Sequence, residues 1–376
     1  MIYFDNAATG GFKPTCVLET AVNVIRYLSS NPGRSGHRLS RTGAEFIYNA
    51  RKRLSRFFNN GSVERVVFTK NCTEALNIAI NGLNLKGSTV ITSVTEHNSV
   101  LRPLYALRKK GDISIKFISP SNGKFITAND VISSYDNSVS LVVLNGASNV
   151  TGFVNDVTGV GDFLKDNRTI FMVDGAQTAG HIKIDMLKCG IDILAVAGHK
   201  GLYSILGSGA LIFNDKVEIK PTYSGGTGTE SFNPMQPDCY PEKLECGTLN
   251  LPAICSMEEG VRYVENNLDY VSEILLSNTE YLINKLNNND KITVYSSKNP
   301  VGIVAFKIND LPSNEVAEIL SSSYNIAVRG GFHCAPLMHT FLKTNEDGLV
   351  RASLSPSNTK RELNALVVAV NKLTDF

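Results

Sequence analysis

Strand-sized apolar runs alternating with helix-sized amphipathic stretches constrain this chain more than any other feature of its sequence. The runs Val66–Thr69, Thr89–Ser93, Ser114–Ile118, Ser140–Leu144, Thr169–Val173, Ile193–Ala197 and Gly209–Phe213 are short and rich in β-branched residues. Such runs read as buried strands. Between several of them lie helix-like stretches, among them Thr73–Leu83, Ser99–Lys110 and Val157–Lys165. This alternation predicts a largely parallel sheet with helices on both faces. Beyond Leu251 the texture changes. A long helical stretch from Ser256 to Asn287 leads into Ile292–Tyr295, Gly302–Ile308, a helix near Asn314–Ser322, Ile326–Arg329, Leu349–Leu354 and a closing helix from Lys360. The expected fold class is therefore α/β, a large, mainly parallel-sheet domain followed by a smaller α+β C-terminal domain. No internal repeat is evident, and the Asn-rich patch Asn287–Asp290 reads as a polar turn.

Composition narrows the function classes. A chain of 376 residues, 43% hydrophobic and 19% charged, can bury the core of two structural domains. A formal charge of +2 without a long Lys/Arg run gives no case for nucleic acid. No apolar run reaches the roughly 20 residues a membrane helix needs, and the start lacks the regions of a signal peptide. Cytoplasm is the expected location. The 7 cysteines are scattered with no CxxC pair, so neither a disulfide framework nor a metal site is expected.

Ligands in open α/β sheets bind outside the carboxyl ends of the strands, and the chemistry-bearing residues fall there. At Thr69-Lys70-Asn71-Cys72-Thr73-Glu74 a strand gives way to a helix. Free N–H groups and the Thr73 hydroxyl make a phosphate cradle there, or Thr73 is an ordinary cap. His97, in Glu96-His97-Asn98, is either catalytic or structural. Ser148-Asn149-Val150-Thr151-Gly152 reads as a turn built from Asn and Gly. Asp174 directly follows an apolar strand, where a carboxylate is costly to bury without a positive partner. The protonated ring nitrogen of pyridoxal 5′-phosphate is one such partner; capping the next helix is the competing role. Lys200, in Gly198-His199-Lys200, is placed to form an imine or is a solvated loop lysine. None of these decides alone; their order and spacing do.

In that order the sequence resembles the class V, fold-type I pyridoxal-phosphate enzymes, specifically the cysteine desulfurases and selenocysteine lyases. The resemblance runs through Tyr3-Phe4-Asp5-Asn6-Ala7-Ala8, Asn31-Pro32-Gly33-Arg34, Asn71-Cys72-Thr73-Glu74, Glu96-His97-Asn98 and Ser148-Asn149-Val150-Thr151-Gly152. It continues with Asp174-Gly175-Ala176-Gln177, Gly198-His199-Lys200, Gly247-Thr248-Leu249-Asn250, the segment Arg329 to Ala335, and Arg351-Ala352-Ser353-Leu354. It implies a large cofactor-binding domain over 13–255, and a small domain of 1–12 and 256–376 carrying the Cys334 loop and Arg351.

The roles implied follow residue by residue. Lys200 holds pyridoxal 5′-phosphate and moves the substrate's Cα proton. Asp174 keeps the ring nitrogen protonated, Gln177 bonds the phenolic oxygen, and Asn149 lies near that oxygen and the substrate carboxylate. His97 stacks on the ring and serves in acid–base steps. Thr73, with neighbouring backbone N–H groups, and His199 hold the phosphate, and Cys72 is a further cofactor-binding residue. Thr248 reaches the phosphate of a partner subunit's cofactor, so a homodimer is expected. Arg351 clamps the substrate carboxylate, with Arg329 and Arg34 as further substrate-binding residues.

Cys334 sets the reaction type. Removing sulfur from cysteine needs a second nucleophile, and an accessible thiolate suits it. Cys334 lies in a polar, Gly-rich segment with Arg329 and His333 close by, so His333 is expected to favour its thiolate. A buried structural thiol suits Cys189 or Cys255 better, and Cys246 is expected to pack at the dimer contact. By resemblance Cys334 matches the persulfide cysteine of the type II (Suf-like) group. The activity implied is L-cysteine desulfuration to alanine, with persulfide sulfur passed to an acceptor protein. The alternatives are a selenocysteine lyase, another class V lyase or aminotransferase, and a catalytically weak scaffold for a sulfur relay. The chain departs from the family pattern at Ala197, where a hydroxyl residue is usual, and at Phe332 and Gly33, where histidines are common.

Overall fold

The computed structural model describes residues 1–374. In chain order the elements are β1 (Ile2–Tyr3), α1 (Thr15–Tyr27), α2 (Arg38–Phe58), β2 (Val66–Thr69), α3 (Cys72–Gly82), β3 (Ser88–Ser93), α4 (Asn98–Lys110) and β4 (Ile113–Ile118). There follow α5 (Ala128–Ile132), β5 (Val139–Asn145), α6 (Val157–Leu164), β6 (Ile170–Asp174), β7 (Ile193–Ala197), β8 (Gly209–Phe213) and α7 (Leu251–Leu286). The chain closes with β9 (Ile292–Val294), β10 (Ile303–Ile308), α8 (Ser313–Tyr324), β11 (Ile326–Ala327), α9 (Pro336–Phe341), β12 (Val350–Ser353) and α10 (Lys360–Leu373).

The expected strands form one 7-stranded sheet of order β2-β8-β7-β6-β5-β3-β4. Five of its strands, β4-β3-β5-β6-β7, run parallel in sequence, and β8 is antiparallel to both of its neighbours, β2 and β7. Strands β7 and β8 are buried throughout and β5 is buried except at Ser140, which explains why they read as apolar runs without alternation. Two hydrophobic clusters flank the sheet, one containing Leu54, Phe58, Phe171 and Leu194, the other Leu76, Ile80, Met172 and Phe213.

The C-terminal part is α+β as expected. Its 3-stranded antiparallel sheet, β12-β10-β9, packs with α8, α10 and the distal half of α7 around Phe306, Leu320 and Leu366. Helix α7 begins at Leu251, with Asn250 accepting from Ala253 N as its cap, and runs unbroken past Ser256. The two parts therefore share a helix. They also share the N-terminal segment: β1 pairs with β11, Gly10 N donates to the His199 carbonyl, and Ser353 N donates to the Phe4 carbonyl.

Candidate active site

Strands β6 and β7 are parallel neighbours, so their carboxyl ends lie at one edge of the sheet. Asp174 is the last residue of β6, and Lys200 follows just beyond β7. The turn between β7 and Lys200 requires glycine: a Cβ on Gly198 would lie 2.3 Å from Ser208 Oγ. Lys200 and Asp174 share a cleft of about 510 Å³ with Cys72, Thr73, His97, Asn149, Gln177 and His199, so eight of the expected cofactor residues come together. Ala197 lines the same cleft without a hydroxyl.

The Asp174 carboxylate is buried, and its Oδ1 accepts from Ala176 N at 2.9 Å and from the Cys72 thiol at 3.3 Å. No helix follows it, so capping is not its role. Burial, reinforced by Asp174, pushes the Cys72 thiol well above the usual range and keeps it a donor. Burial also lowers the Lys200 ammonium; Arg351 and Arg329 act in the same direction, against Asp174 and Cys72. A lysine biased toward its neutral amine is what imine formation needs.

At the other end of the cleft, Asn71 caps α3 by accepting from Glu74 N at 2.9 Å. That frees Thr73 from the capping role, and its Oγ1 lies 2.8 Å from Ser99 Oγ. His199 is neutral: burial first, then Lys200 and Lys13, bring its pKa to about 4. Its Nδ1 lies 3.1 Å from Thr9 Oγ1. Gln177 Nε2 donates to the Ala7 carbonyl at 3.1 Å. Ser99, Thr9 and the Ala7 carbonyl had no assigned role in the sequence; only the fold brings them here.

The substrate side is built from the C-terminal part. Arg351, on β12, is 1% exposed. Its Nη1 donates to the Asn149 carbonyl at 2.9 Å and its Nη2 to Asp5 Oδ1 at 2.8 Å, leaving Nε buried without a partner. Asn149 Oδ1 is likewise buried and unpaired, while its Nδ2 donates to the His333 carbonyl at 2.7 Å.

Cys334 is exposed, on a turn where His333 and Cys334 both adopt positive φ, 49° and 58°. Such backbone is costly for non-glycine residues and persists only where surroundings hold it. The Cys334 carbonyl accepts from Asn98 N at 2.7 Å, directly beside His97, and the Asn149 bond holds the preceding carbonyl. Arg329 Nη2 stands 4.0 Å from Cys334 Sγ.

One expectation needs correction, and two of the expected residues lie away from the Lys200 cleft. His333 does not serve as a cation for Cys334. It is buried, its Nε2 pairs with the Leu349 carbonyl, and burial together with Arg351 brings its pKa down to about 2. Arg329 is the cation near the thiol. Arg34 is not in the Lys200 cleft: its Nη2 donates to the Gly226 and Gly247 carbonyls, at the edge of a larger cleft of about 1100 Å³. Thr248 is exposed beside that second cleft. Among the other cysteines, Cys255 is buried as expected, whereas Cys189 is half-buried against Thr158 Oγ1.

Known proteins resemble this chain over nearly its whole length. Residues 2–366 match the family model described as aminotransferase class-V. A probable cysteine desulfurase of Methanothermobacter thermautotrophicus is 31% identical over 97% of this chain and 92% of its own length. A cysteine desulfurase of Escherichia coli is 28% identical over 99% of this chain and 93% of its own. The solved cysteine desulfurase of Thermococcus onnurineus superposes with a TM-score of 0.90 at 29% identity, over 100% of this chain and 94% of its own. None of the described helices is long and apolar enough to cross a membrane. The chain belongs to the class-V aminotransferase family and, within it, to the cysteine desulfurases.

Proposed function

We propose that the protein is a pyridoxal-phosphate-dependent cysteine desulfurase that converts L-cysteine to L-alanine and keeps the sulfur as a persulfide on Cys334. The residues present fit the cofactor. Asp174 is a buried carboxylate whose Oδ1 is taken by Cys72 and Ala176, leaving Oδ2 for a ring N–H. Thr73, the first N–H groups of α3 and the neutral His199 suit the phosphate. Lys200 would hold the cofactor through Nζ, Gln177 and Asn149 would serve its phenolic oxygen, and His97 would lie against its ring, all four lining the one cleft. When bound, the cofactor supplies an electron sink for bond breaking at the substrate.

This chain's residues do the rest. Arg351 takes the substrate carboxylate, for which its unpaired Nε and the unpaired Asn149 Oδ1 mark the place. Lys200, as the free amine, moves the Cα proton. The Cys334 thiolate attacks the substrate sulfur; an S–S bond forms, the C–S bond breaks, and the electron pair left on carbon takes a proton to give alanine. Cysteine and one thiol thus become alanine and one persulfide, with no outside oxidant.

One observation favours desulfuration over other lyase or transaminase chemistry: an exposed thiol, Cys334, is pinned by its own carbonyl to Asn98 N, next to His97. The test is Cys334→Ala with L-cysteine and L-selenocysteine. We expect cysteine turnover to fall at least a hundredfold, cofactor content to persist, and selenocysteine cleavage to survive, because the weaker C–Se bond needs no attacking thiol. Wild-type protein given cysteine without reductant should gain one sulfur on the Cys334 peptide and none on Cys246. Full cysteine desulfurase activity in the variant moves the reading to another class V lyase or aminotransferase.

The active unit in this reading is a homodimer in which Thr248 and Arg34 serve the partner subunit's site. Their position at the second cleft supports it, as do the exposed Tyr223, Phe232 and Met235 on the neighbouring segment. A sulfur-acceptor protein takes the persulfide from the exposed Cys334.

A further inference from the structure

Within the proposed chemistry His97 must present a defined ring nitrogen to the reacting atoms, and the residues that decide which one lie outside every motif read from the sequence. His97 is the N-cap of α4, and Ser99 N donates to its Nδ1 at 3.0 Å. A backbone N–H can only donate, so Nδ1 holds a lone pair. The Ser99 hydroxyl lies 2.8 Å from the same Nδ1 and 2.8 Å from Thr73 Oγ1. Ser99 is buried at 9% exposure, whereas His97 opens onto the cleft. Its Nε2 makes no hydrogen bond among the described residues and is not among the buried unpaired atoms.

We propose that Ser99 is a positioning residue that locks His97 in the neutral tautomer with its proton on Nε2, and ties that ring to the phosphate-end Thr73. Two donors converge on one ring nitrogen, one from the backbone and one from a hydroxyl, so the proton has a single place left. His97 thereby enters the reaction as a proton donor at Nε2. It accepts a proton only after giving one up, because Nδ1 is occupied. The charges facing the ring are Asp174, which favours the imidazolium, and Lys200, Arg329 and Arg351, which oppose it together with burial. Ser99 adds to the second group by stabilising the neutral ring through its hydroxyl.

This rests on the cysteine desulfurase reading for its mechanistic meaning, but the tautomer itself does not. With only 6 histidines in the chain, ring 15N shifts of histidine-labelled protein can be assigned by comparison with His97→Gln. In the purified protein, with cofactor bound and after its removal, we expect His97 to show an Nε2–H, Nδ1-lone-pair pattern across pH 6–8. Ser99→Ala should raise the His97 ionisation by about half a unit to one unit, seen both in the 15N titration and as an upward shift of the acid limb of turnover. Ser99→Thr, which keeps the hydroxyl, should restore both. An Nδ1–H tautomer in the wild type overturns the proposal, as does an unmoved titration in a folded Ser99→Ala protein. If the titration moves as expected but the wild type makes no alanine from cysteine, the functional reading fails and the positioning role stands.

Discussion

The cofactor end of the cleft and the thiol turn opposite it are built on different principles. Asp174 and Lys200 sit at or just beyond the ends of parallel strands buried at every residue but Ile170, so the sheet fixes them and burial tunes Lys200. Cys334 sits on an exposed turn in left-handed backbone, packed by little and held by two hydrogen bonds to its own and its neighbour's carbonyl. Main-chain tethers fix where the sulfur is without covering it. A nucleophile that must form a persulfide and then surrender it needs that combination. The Gly331 before it, at φ 97°, lets the chain enter the turn where a side chain would be strained.

The largest expected effect tests the cofactor end. Lys200→Ala removes the only amine we place at the ring, so borohydride-reducible, lysine-linked cofactor should vanish and turnover should fall by at least about a thousandfold, roughly 4 kcal/mol. The Cys334 turn is held by hydrogen bonds from Asn98 and Asn149, not from Lys200, and should keep its alkylation rate. Lysine-linked cofactor persisting at another position would break the assignment. Parallel loss of Cys334 reactivity would show that the two ends are not independent.

The next test sharpens the thiol side by setting Arg329 against His333. Arg329→Gln removes the cation 4.0 Å from Sγ and should slow iodoacetamide alkylation of Cys334 at pH 7 by roughly three- to tenfold. His333→Gln should leave that rate nearly unchanged, because burial keeps His333 uncharged. Its signature belongs to stability. A histidine whose folded pKa lies far below its unfolded value costs stability progressively as pH falls below about 6.5, since only the unfolded chain binds the proton. His333→Gln should flatten that part of the stability curve. A large alkylation defect in His333→Gln would return to it the role that its burial denies.

The same contrast decides what was legible in the sequence. Buried parallel strands leave long apolar signatures bounded by turn residues, so β2 to β8 and the groups at their ends could be read, with bounds off by a residue or so. The antiparallel setting of β8 could not, because direction leaves no mark on an apolar run. Helices α1 and α2 lay outside the alternating pattern. Exposed Leu18, Val22 and Ile25 on α1 accompany buried Val17, Ala21 and Val24, which blurs any single apolar face. At the site, residues whose own type suggests the proposed chemistry could be picked out as candidates: Lys200, Asp174, His97, Arg351 and Cys334. Those that act by orienting another group could not. Asp5 on Arg351, Thr9 on His199 and Ser99 on His97 are ordinary residues until the tertiary fold supplies the partner. The misreading of His333 has the same origin, because neighbourhood in sequence says nothing about burial.

The smallest expected effect concerns a second buried carboxyl at the cofactor end, Glu96. It is fully buried, its Oε1 accepts from Ser93 Oγ at 2.6 Å and from Asn145 N at 3.0 Å, and its Oε2 has no partner. Among the described residues no positive side chain pairs with it. Burial raises its pKa to about 8, Asp174 adds to the rise, and the Ser93 and Asn145 bonds oppose it. The unfolded chain gives up this proton near pH 4.3, while the folded protein keeps it to about pH 8. Between those values the unfolded state binds fewer protons, so stability falls as pH rises through the window and is flat on either side. Glu96→Gln keeps the shape and removes the ionisation. The variant should match the wild type near pH 4 and exceed it by about 1 kcal/mol at pH 8 in urea unfolding, relaxation around the buried group trimming the formal value. Lys200-bound cofactor and cysteine turnover at pH 7 should change less than twofold, because a carboxyl that is already neutral contributes no charge to lose. Wild-type and Glu96→Gln stability curves running parallel from pH 4 to pH 8 would mean that Glu96 is ionised in the folded protein and that a partner for Oε2 reaches it from solvent.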